Sequence, residues 1–553
     1  MTTSVLEREE ELLDIENIGN SLYTSFLEDR KTGGVASLWD PLKKRKLMIF
    51  KTASKSINIK MKDKVVKLKE ERNLMTRLLV ISRTRPDINI AEMLSAHEFS
   101  VVPRSLFDQF GIPIQCRDKS SFLHGLEEMA TGVETSTSLR DGMSKCAIID
   151  GMGLVHQLKI TQSITTVEDL AKHFCDRLRT LVSSPLPAVI VLIFDSYSKS
   201  MENIKSQTWE LRNKKQIRYN LTLKTKIKGL KMRDLLSHPD NKRSLTEIFG
   251  RVFVEKADES LYVVMYGFHI ISNIHGWNIM SHSHFEADTL ITCTIDEIVR
   301  LPKIEVGLND YWFQIISPDT DVVILSCNFL ALFDCDLHID FKLITSKEPH
   351  LFSVNSIVSA LGHNKSMGLL GVYVLTGCDH VGSFNTITKA RCLKVFQNLD
   401  ESNDADIISA LKSIGHAQTL TDSQVAALSR FVLILYCSKR KDDKVRFSSI
   451  YDIGALRWEF YSKHQSEADQ LPPTPSALKF HLLRSNFVAL MWNRASACFS
   501  PNIPTIGPEY GWNIENGQLT AIMTNMLPAP EFSLELSSCA CKKTKCDSKQ
   551  CSC

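Results

Sequence analysis

The chain has 553 residues, enough for three or four domains of about 150 residues each. Hydrophobic residues make up 43% and charged residues 23%, as in ordinary globular proteins, and the net charge of +3 favours no class of partner. The sequence has no apolar run of the ~18 residues that a membrane span needs, and the acidic N-terminus lacks the apolar core of a secretory signal. We therefore expect an intracellular protein with no membrane partner.

Residues 1–140 predict a basic, mainly helical module. The run KKRK at residues 43–46 opens a lysine-rich segment that continues to Arg72. Such a segment is typical of a nuclear address or a phosphate-binding surface, and the alternative is a solvated helix face with interleaved acids. Residues 72–84 and 89–98 have the apolar spacing of amphipathic helices. We find no catalytic constellation in this module.

In residues 141–400, apolar segments are repeatedly followed by acids. The acids after these segments are Asp150, Asp195, Asp319 with Asp321, and Asp379, while Glu286 and Asp288 open an apolar helix. Near-continuous apolar strands such as residues 188–194 are typical of a parallel sheet covered on both faces. Each acid taken singly also fits a solvated turn or a helix start. Their recurrence predicts a carboxylate cluster at the carboxyl edge of one sheet.

A cluster of carboxylates indicates a particular chemistry. Hard oxygen ligands select Mg²⁺ or Mn²⁺. Two such ions about 4 Å apart activate water and stabilise the leaving oxygen in phosphodiester cleavage. The pattern therefore predicts a site for Mg²⁺ or Mn²⁺, to which this chemistry is open.

The order of these motifs resembles the PIN-like nuclease fold of the flap-endonuclease superfamily. The matching segments are IIDGMGLVHQL, VLIFDSYSK, FEADT, SPDTDVVIL and LTGCDHVGSF. The resemblance implies an α/β fold with a mostly parallel sheet and flanking helices over residues 141–400. It also implies two Mg²⁺ or Mn²⁺ ions bound by seven acids, namely Asp150, Asp195, Glu286, Asp288, Asp319, Asp321 and Asp379.

The resemblance extends to residues that would contact the substrate. Lys205 and Arg212 in KSQTWELR match a Lys-Ser and a later Arg of the family, which implies that they orient the scissile phosphate. Lying two turns apart on a helix, they face one side. His156 stands where the family has a base-stacking aromatic residue, although a surface histidine is the simpler interpretation.

One departure from the family concerns the turn that grips duplex backbone. Thr386 and Thr388 replace its two glycines, which makes close approach to phosphate harder and duplex binding there doubtful. Lys389 and Arg391 follow in the same stretch and are the candidate nucleic-acid contacts. A second departure is the extension of about 140 residues before the acidic core, which is expected to cap or remodel the site.

Residues 401–530 predict a helical module, broken by the prolines at residues 472–475. The chain then ends in a cysteine-rich tail over residues 539–553, whereas the other ten of its fifteen cysteines are scattered singly. This density favours Zn²⁺ over disulfides. The candidate zinc ligands are Cys539, Cys541, Cys546, Cys551 and Cys553. The spacing resembles the first half of a tesmin-type CXC domain, a DNA-binding zinc module, with Lys542, Lys543 and Lys545 as phosphate contacts.

The combination of modules also resembles uncharacterised transposon-associated proteins of animals. The function expected from the sequence is a metal-dependent nuclease in the nucleus, acting on DNA that is branched or single-stranded. The alternative is a catalytically inactive DNA-binding protein of transposon origin, and RNA stays open as a substrate.

Overall fold

A computed structural model gives the structure of the chain. It describes residues 15–32, 56–61, 64–69, 74–116, 118–131, 142–182, 185–196, 217–257, 261–277, 279, 281–284, 286–301, 311–333, 337–344, 349–438, 450, 452–464, 469–498, 504–515 and 518–535. The chain divides into two compact units, Met1–Ala53 and Ser54–Cys553. The boundaries predicted at residues 140 and 400 both fall inside the second unit. None of the described helices combines the length and apolar character that crossing a membrane requires.

The first unit contains helix α1, Ile15–Leu27, which continues as a π-helical turn over Glu28–Thr32. The second unit begins with an antiparallel hairpin of β1, Ser56–Met61, and β2, Lys64–Lys69. This hairpin lies in the lysine-rich segment, so the alternative of a helix face is wrong for these residues. In β1, Ile57 and Ile59 alternate with the polar residues Asn58 and Lys60, which is the two-residue period of a strand.

A sheet of seven strands forms the centre of the second unit. The strands are β3, Ser144–Asp150; β4, Val189–Ile193; β5, Leu261–Tyr266; β6, His269–Ser272; β7, Tyr311–Ser317; β8, His338–Leu343; and β9, His350–Ser353. Their order is β6-β5-β4-β3-β7-β8-β9. The five inner strands are parallel, and the two edge strands β6 and β9 are antiparallel to their neighbours. The predicted α/β class with a mostly parallel sheet is therefore confirmed.

The sheet is covered on both faces, as the continuous apolar strands require. Ile148 of β3 is aligned with Val191 of β4 and Ile315 of β7 in the middle of the sheet. Its neighbour Ile149 points the opposite way, because side chains alternate along a strand. Ile148 and Ile149 belong to separate apolar clusters, one on each face.

Helices cover these faces and continue to the C-terminal end of the described chain. Their bounds are α2, Leu74–Thr84; α3, Ile90–Ala96; α4, Lys119–Ala130; α5, Gly151–Gln157; α6, Val167–Val182; α7, Met232–Leu235; α8, Pro239–Lys256; α9, Ala287–Arg300; α10, Thr320–Leu332; α11, Val354–Leu375; α12, Lys389–Gln397; α13, Ala405–Ser413; α14, Asp422–Cys437; α15, Ile453–His464; α16, Pro475–Asn493; and α17, Glu531–Glu535. A 3-10 turn over Pro508–Tyr510 precedes a small hairpin of β10, Trp512–Glu515, and β11, Gln518–Ala521.

Helix α11 differs from the sequence-based expectation. The apolar segment before Asp379 was predicted to resemble the strands that end in acids, but it is the C-terminal part of this helix. Gly362 has φ +73° and breaks the helix into two parts, a conformation that glycine adopts without steric cost. A short apolar run fits a buried helix as well as a buried strand, which explains why the pattern alone failed here.

Candidate metal centre

The carboxyl ends of three neighbouring parallel strands form the floor of the candidate site. Strand β3 ends at Asp150, β4 is followed by Asp195, and β7 is followed by Asp319. These strands lie side by side in the sheet, so the acids after them meet at one edge.

Asp150 is the most deeply buried of the acids that directly follow a strand. Its Oδ1 accepts a hydrogen bond from the backbone N–H of Gly153 over 2.9 Å, which caps helix α5. Its Oδ2 accepts from the hydroxyl of Ser317 over 2.9 Å. A side chain on Gly153 would place a Cβ 2.3 Å from Pro318, so only glycine allows α5 to approach β7 this closely. Burial, reinforced by the nearby charge of Asp195, raises the pKa of Asp150 to about 7.

Asp319 and Asp321 continue the network from Ser317. The backbone N–H of Asp319 donates to Ser317 Oγ over 3.1 Å. Asp319 then caps helix α10, accepting from the backbone N–H of Asp321 over 2.9 Å. Asp321 has no exposed surface, and its Oδ1 accepts from the hydroxyl of Tyr373 over 2.5 Å. The carboxylate of Asp321 is therefore fixed by the helical layer above the sheet.

The start of helix α9 brings two further acids to the same place. Asp195 accepts a hydrogen bond from the backbone N–H of Ala287 over 2.9 Å, which holds this helix start against the end of β4. Glu286 lies with Oε1 3.2 Å from Nε2 of His380. Asp288 is buried and, with Asp319 and Asp321, offers one carboxylate oxygen in a group whose members lie within 4.8 Å of one another. The prediction that Glu286 and Asp288 open a helix is confirmed.

Lys119 is a member of the site that the sequence did not reveal. It begins helix α4, and its ammonium lies 2.9 Å from Asp321 Oδ2 and 2.5 Å from Asp379 Oδ1. Burial alone would lower the pKa of Lys119, but the charges of Asp321, Asp319 and Asp379 outweigh it and raise the pKa above its ordinary value. Lys119 is therefore charged. No motif marks it, because its partner Asp321 lies 202 residues further along the chain.

A cavity of about 370 Å³ lies beside these groups. Its lining residues are Cys116, Lys119, Ser120, Pro318, Asp319, Thr320 and Asp379. Asp319, Asp379 and Lys119 therefore border one open cavity at the edge of the sheet. The donor atoms supplied by Asp288, Asp319 and Asp321 are all carboxylate oxygens, and this set suits a hard divalent cation.

Other predicted contacts lie in different environments. His156 is exposed on α5, as the simpler interpretation expects. Lys389 is buried, and its ammonium donates to the carbonyl of Tyr373 over 2.5 Å and to the hydroxyl of Thr376 over 3.0 Å. This position does not fit a contact with nucleic acid, because the charged group faces the core. Arg391, two residues on, is half-buried.

The turn before helix α12 has a backbone conformation that is unusual for a residue other than glycine. Thr386 has φ +64°, in the left-handed region that favours glycine. Thr388 caps α12 by accepting from the backbone N–H of Arg391. Several predicted residues lie outside the described part of the chain, namely Lys205, Arg212, Cys539, Cys541, Lys542, Lys543, Lys545, Cys546, Cys551 and Cys553.

No protein-family model matches the sequence, and no curated protein is significantly similar to it. Among solved structures, the T5 D15 protein co-crystallised with metal ions is similar at a TM-score of 0.28 and 10% identity, over 63% of this chain and 99% of that one. A mutant of the T5 5′-exonuclease is similar at a TM-score of 0.25 and 10% identity, with the same coverage. Likenesses at this level assign no role to any residue of this site.

Proposed function

We propose that this protein is a metal-dependent nuclease that hydrolyses phosphodiester bonds in DNA, with branched or single-stranded DNA as the substrate. The observation that carries the proposal is the group of three carboxylates, Asp288, Asp319 and Asp321, within 4.8 Å of one another. They stand at the edge of a parallel sheet where α/β proteins place their sites. Mg²⁺ or Mn²⁺ is the cation that such ligands prefer.

The chain's own residues have separate tasks in this proposal. Asp288, Asp319 and Asp321 hold the cation, which when bound activates water and stabilises the leaving oxygen. Asp150 orients Ser317 by accepting a hydrogen bond from its hydroxyl. The oxygen of that hydroxyl accepts a hydrogen bond from the backbone N–H of Asp319, which fixes the turn that carries Asp319. Asp195 holds the start of α9, and with it Asp288, through the N–H of Ala287.

The substrate contacts in this proposal are those that the resemblance to flap endonucleases implies. Lys205 and Arg212 orient the scissile phosphate, and the lysine-rich segment at residues 43–46 adds salt-dependent affinity. The zinc tail with Lys542, Lys543 and Lys545 is a further DNA contact in this proposal. A nuclear location and a transposon origin are consistent with the basic segment and the cysteine-rich tail.

One observation favours the alternative of a DNA-binding protein without turnover. The ammonium of Lys119 already compensates the charges of Asp321 and Asp379, so these acids are tolerated in the fold without a metal ion. A chain that has lost its catalytic role keeps such a cluster at little cost in stability.

The deciding experiment incubates the protein with labelled flap, hairpin, single-stranded and duplex DNA, and with matched RNA, in Mg²⁺, Mn²⁺ or a chelator. We expect cleavage of at least one DNA substrate that the chelator abolishes. Asp319→Asn should abolish cleavage too, because it removes a charge that holds the cation. It should leave the fold intact, because asparagine caps a helix as well as aspartate does. Asp422→Asn, at the exposed start of α14, is the matched control. Binding without cleavage by the parent chain would establish the alternative.

A further inference from the structure

The ammonium of Lys119 lies between two of the acids that the sequence predicts to bind metal ions. It bridges Asp321, which follows a strand in the sheet, and Asp379, which follows helix α11. Asp321 is also a member of the three-carboxylate group with Asp288 and Asp319. The acids therefore form two adjoining positions for positive charge, which share Asp321.

Packing of helix α4 holds the lysine in this place. Phe122, one turn beyond Lys119, is fully buried and meets the ring of Tyr373 edge to face, with centroids 5.2 Å apart. Tyr373 is the residue whose hydroxyl binds Asp321. Leu126, a further turn along, is also fully buried. The helix that carries Lys119 and the carboxylate that receives it are thus fixed by one packed cluster.

The oxygens on this side of the cluster already have donors. Asp321 accepts from Tyr373 at Oδ1 and from Lys119 at Oδ2, and Asp379 accepts from Lys119 at Oδ1. A divalent ion bridging Asp321 and Asp379 would have to occupy the volume of the ammonium. An ion at that place therefore requires Lys119 to leave.

We propose that the Lys119 ammonium is a built-in cation that takes the second of the two positions, so that the cluster binds a single divalent ion, on the Asp288–Asp319 side. This inference rests on the proposed function in so far as it requires the three carboxylates to bind metal. It changes the two-ion mechanism expected from the sequence into one with one metal ion and one lysine. An ammonium has three N–H donors, and Asp321 and Asp379 account for two. The third can donate to a phosphate oxygen in the cavity that Lys119 lines.

Metal counting tests this inference without reference to cleavage. Mn²⁺ is titrated into the metal-free full-length protein, and bound ions are counted by calorimetry and by electron paramagnetic resonance. We expect one Mn²⁺ in the parent chain and in Lys119→Arg, which keeps the charge. Lys119→Met removes the charge but keeps an apolar stem, and we expect it to bind two ions, with magnetic coupling between them. Asp422→Asn is the control and should bind one.

Each result decides the matter. Two ions in the parent chain, or one ion in a folded Lys119→Met, would overturn the inference, and absence of any bound ion would overturn both this inference and the proposed function. One ion in the parent and two in Lys119→Met, with no cleavage of any substrate, would support the inference about Lys119 and contradict the proposed nuclease activity. If Lys119→Met does not fold, the count in the parent chain and in Lys119→Arg still decides.

Discussion

The phenolic hydroxyl of Tyr373 donates a hydrogen bond of 2.5 Å to Oδ1 of Asp321 inside the core. Tyr373 comes from helix α11 and Asp321 from helix α10, and both are fully buried. Burial, together with the charge of Asp321, raises the pKa of Tyr373 well above its ordinary value, so the phenol stays a donor. The carboxylate at the centre of the candidate site is therefore also part of the packing between two helices.

Replacing Tyr373 by phenylalanine tests the stabilising part of this relationship. The variant keeps the ring contact with Phe122 but removes one donor from a buried carboxylate. Hydrogen bonds to charged groups contribute about 1.5–3 kcal/mol, so we expect the free energy of unfolding to fall by about that amount. Urea unfolding of Tyr373→Phe measures it, with Tyr262→Phe on strand β5 as the control. Equal stability of the parent and Tyr373→Phe would contradict this account.

The strands and their acids were predictable because two local signals coincide. In β3 and β4 an apolar run with both faces buried is followed within two residues by an aspartate. A parallel arrangement then brings Asp150 and Asp195 to the same edge without any further information. Helices α14 and α16 were predictable from local signals too, since both are rich in apolar residues and begin after the N-caps Thr421 and Thr474.

The two lysines at the site were not predictable from local signals. Lys119 reaches Asp321 across 202 residues, and a contact of that kind leaves no periodicity in the sequence. Lys389 was expected on a surface, but its ammonium lies 3.8 Å from the ring centroid of Tyr373, beneath the site. A lysine that begins a helix is usually solvated, and only the packing of α4 and α11 shows which lysine is buried.

The raised pKa of Asp150 predicts a pH dependence of metal binding. With a pKa of about 7, this carboxyl takes up a proton as the pH falls below 7, and the site then loses one of the negative charges that attract a cation. We expect the affinity for Mn²⁺ to fall by up to about tenfold per pH unit below pH 7 and to level off above it. Calorimetry between pH 5.5 and 8.5 measures the slope. Asp150→Asn should flatten it, Asp422→Asn should not, and a parent profile without a slope would exclude this role for Asp150.

Burial of His481 predicts a loss of stability in acid. Its Nε2 lies 2.8 Å from the carbonyl of Leu375, and burial, assisted by the charge of Arg484, lowers the pKa of His481 to about 3. The unfolded chain takes up this proton near pH 6.5, so stability is full above that pH and declines as the pH falls towards 3. His481→Gln keeps a donor for the carbonyl and does not titrate. We expect the parent to lose about 2–4 kcal/mol more than the variant between pH 6.5 and 4, by urea unfolding. Parallel pH profiles would refute this.

The cysteine-rich tail predicts a second, chemically different metal. Five thiols fill one tetrahedral zinc site with four ligands, and several sites would need shared ligands. Elemental analysis should therefore find about one zinc per chain. Cys541→Ser with Cys546→Ser should remove it, whereas Cys116→Ser should not. Purified protein with these thiols reduced and no zinc would contradict the zinc tail and leave the acidic cluster unaffected.

The same substitution should leave stability nearly unchanged at Asp319 and lower it at Asp321. Asp319 is half-buried and caps α10, and asparagine caps helices equally well, so we expect Asp319→Asn to unfold at nearly the parent urea concentration. Asp321 is fully buried between the donors of Tyr373 and Lys119. An asparagine amide there has only one acceptor oxygen, and its N–H₂ group must face one of the two donors.

We therefore expect Asp321→Asn to lose about 1–3 kcal/mol of unfolding free energy, the cost of leaving buried polar groups unsatisfied. Both variants should lose cleavage by at least about a hundredfold, because each removes a charge that holds the cation. DNA binding, measured by fluorescence anisotropy, should persist or tighten in both, since a repelling negative charge is gone. If Asp321→Asn is as stable as Asp319→Asn, Asp321 is not held between the two donors. If either variant cleaves like the parent under matched Mg²⁺ and salt, the carboxylates do not carry the reaction.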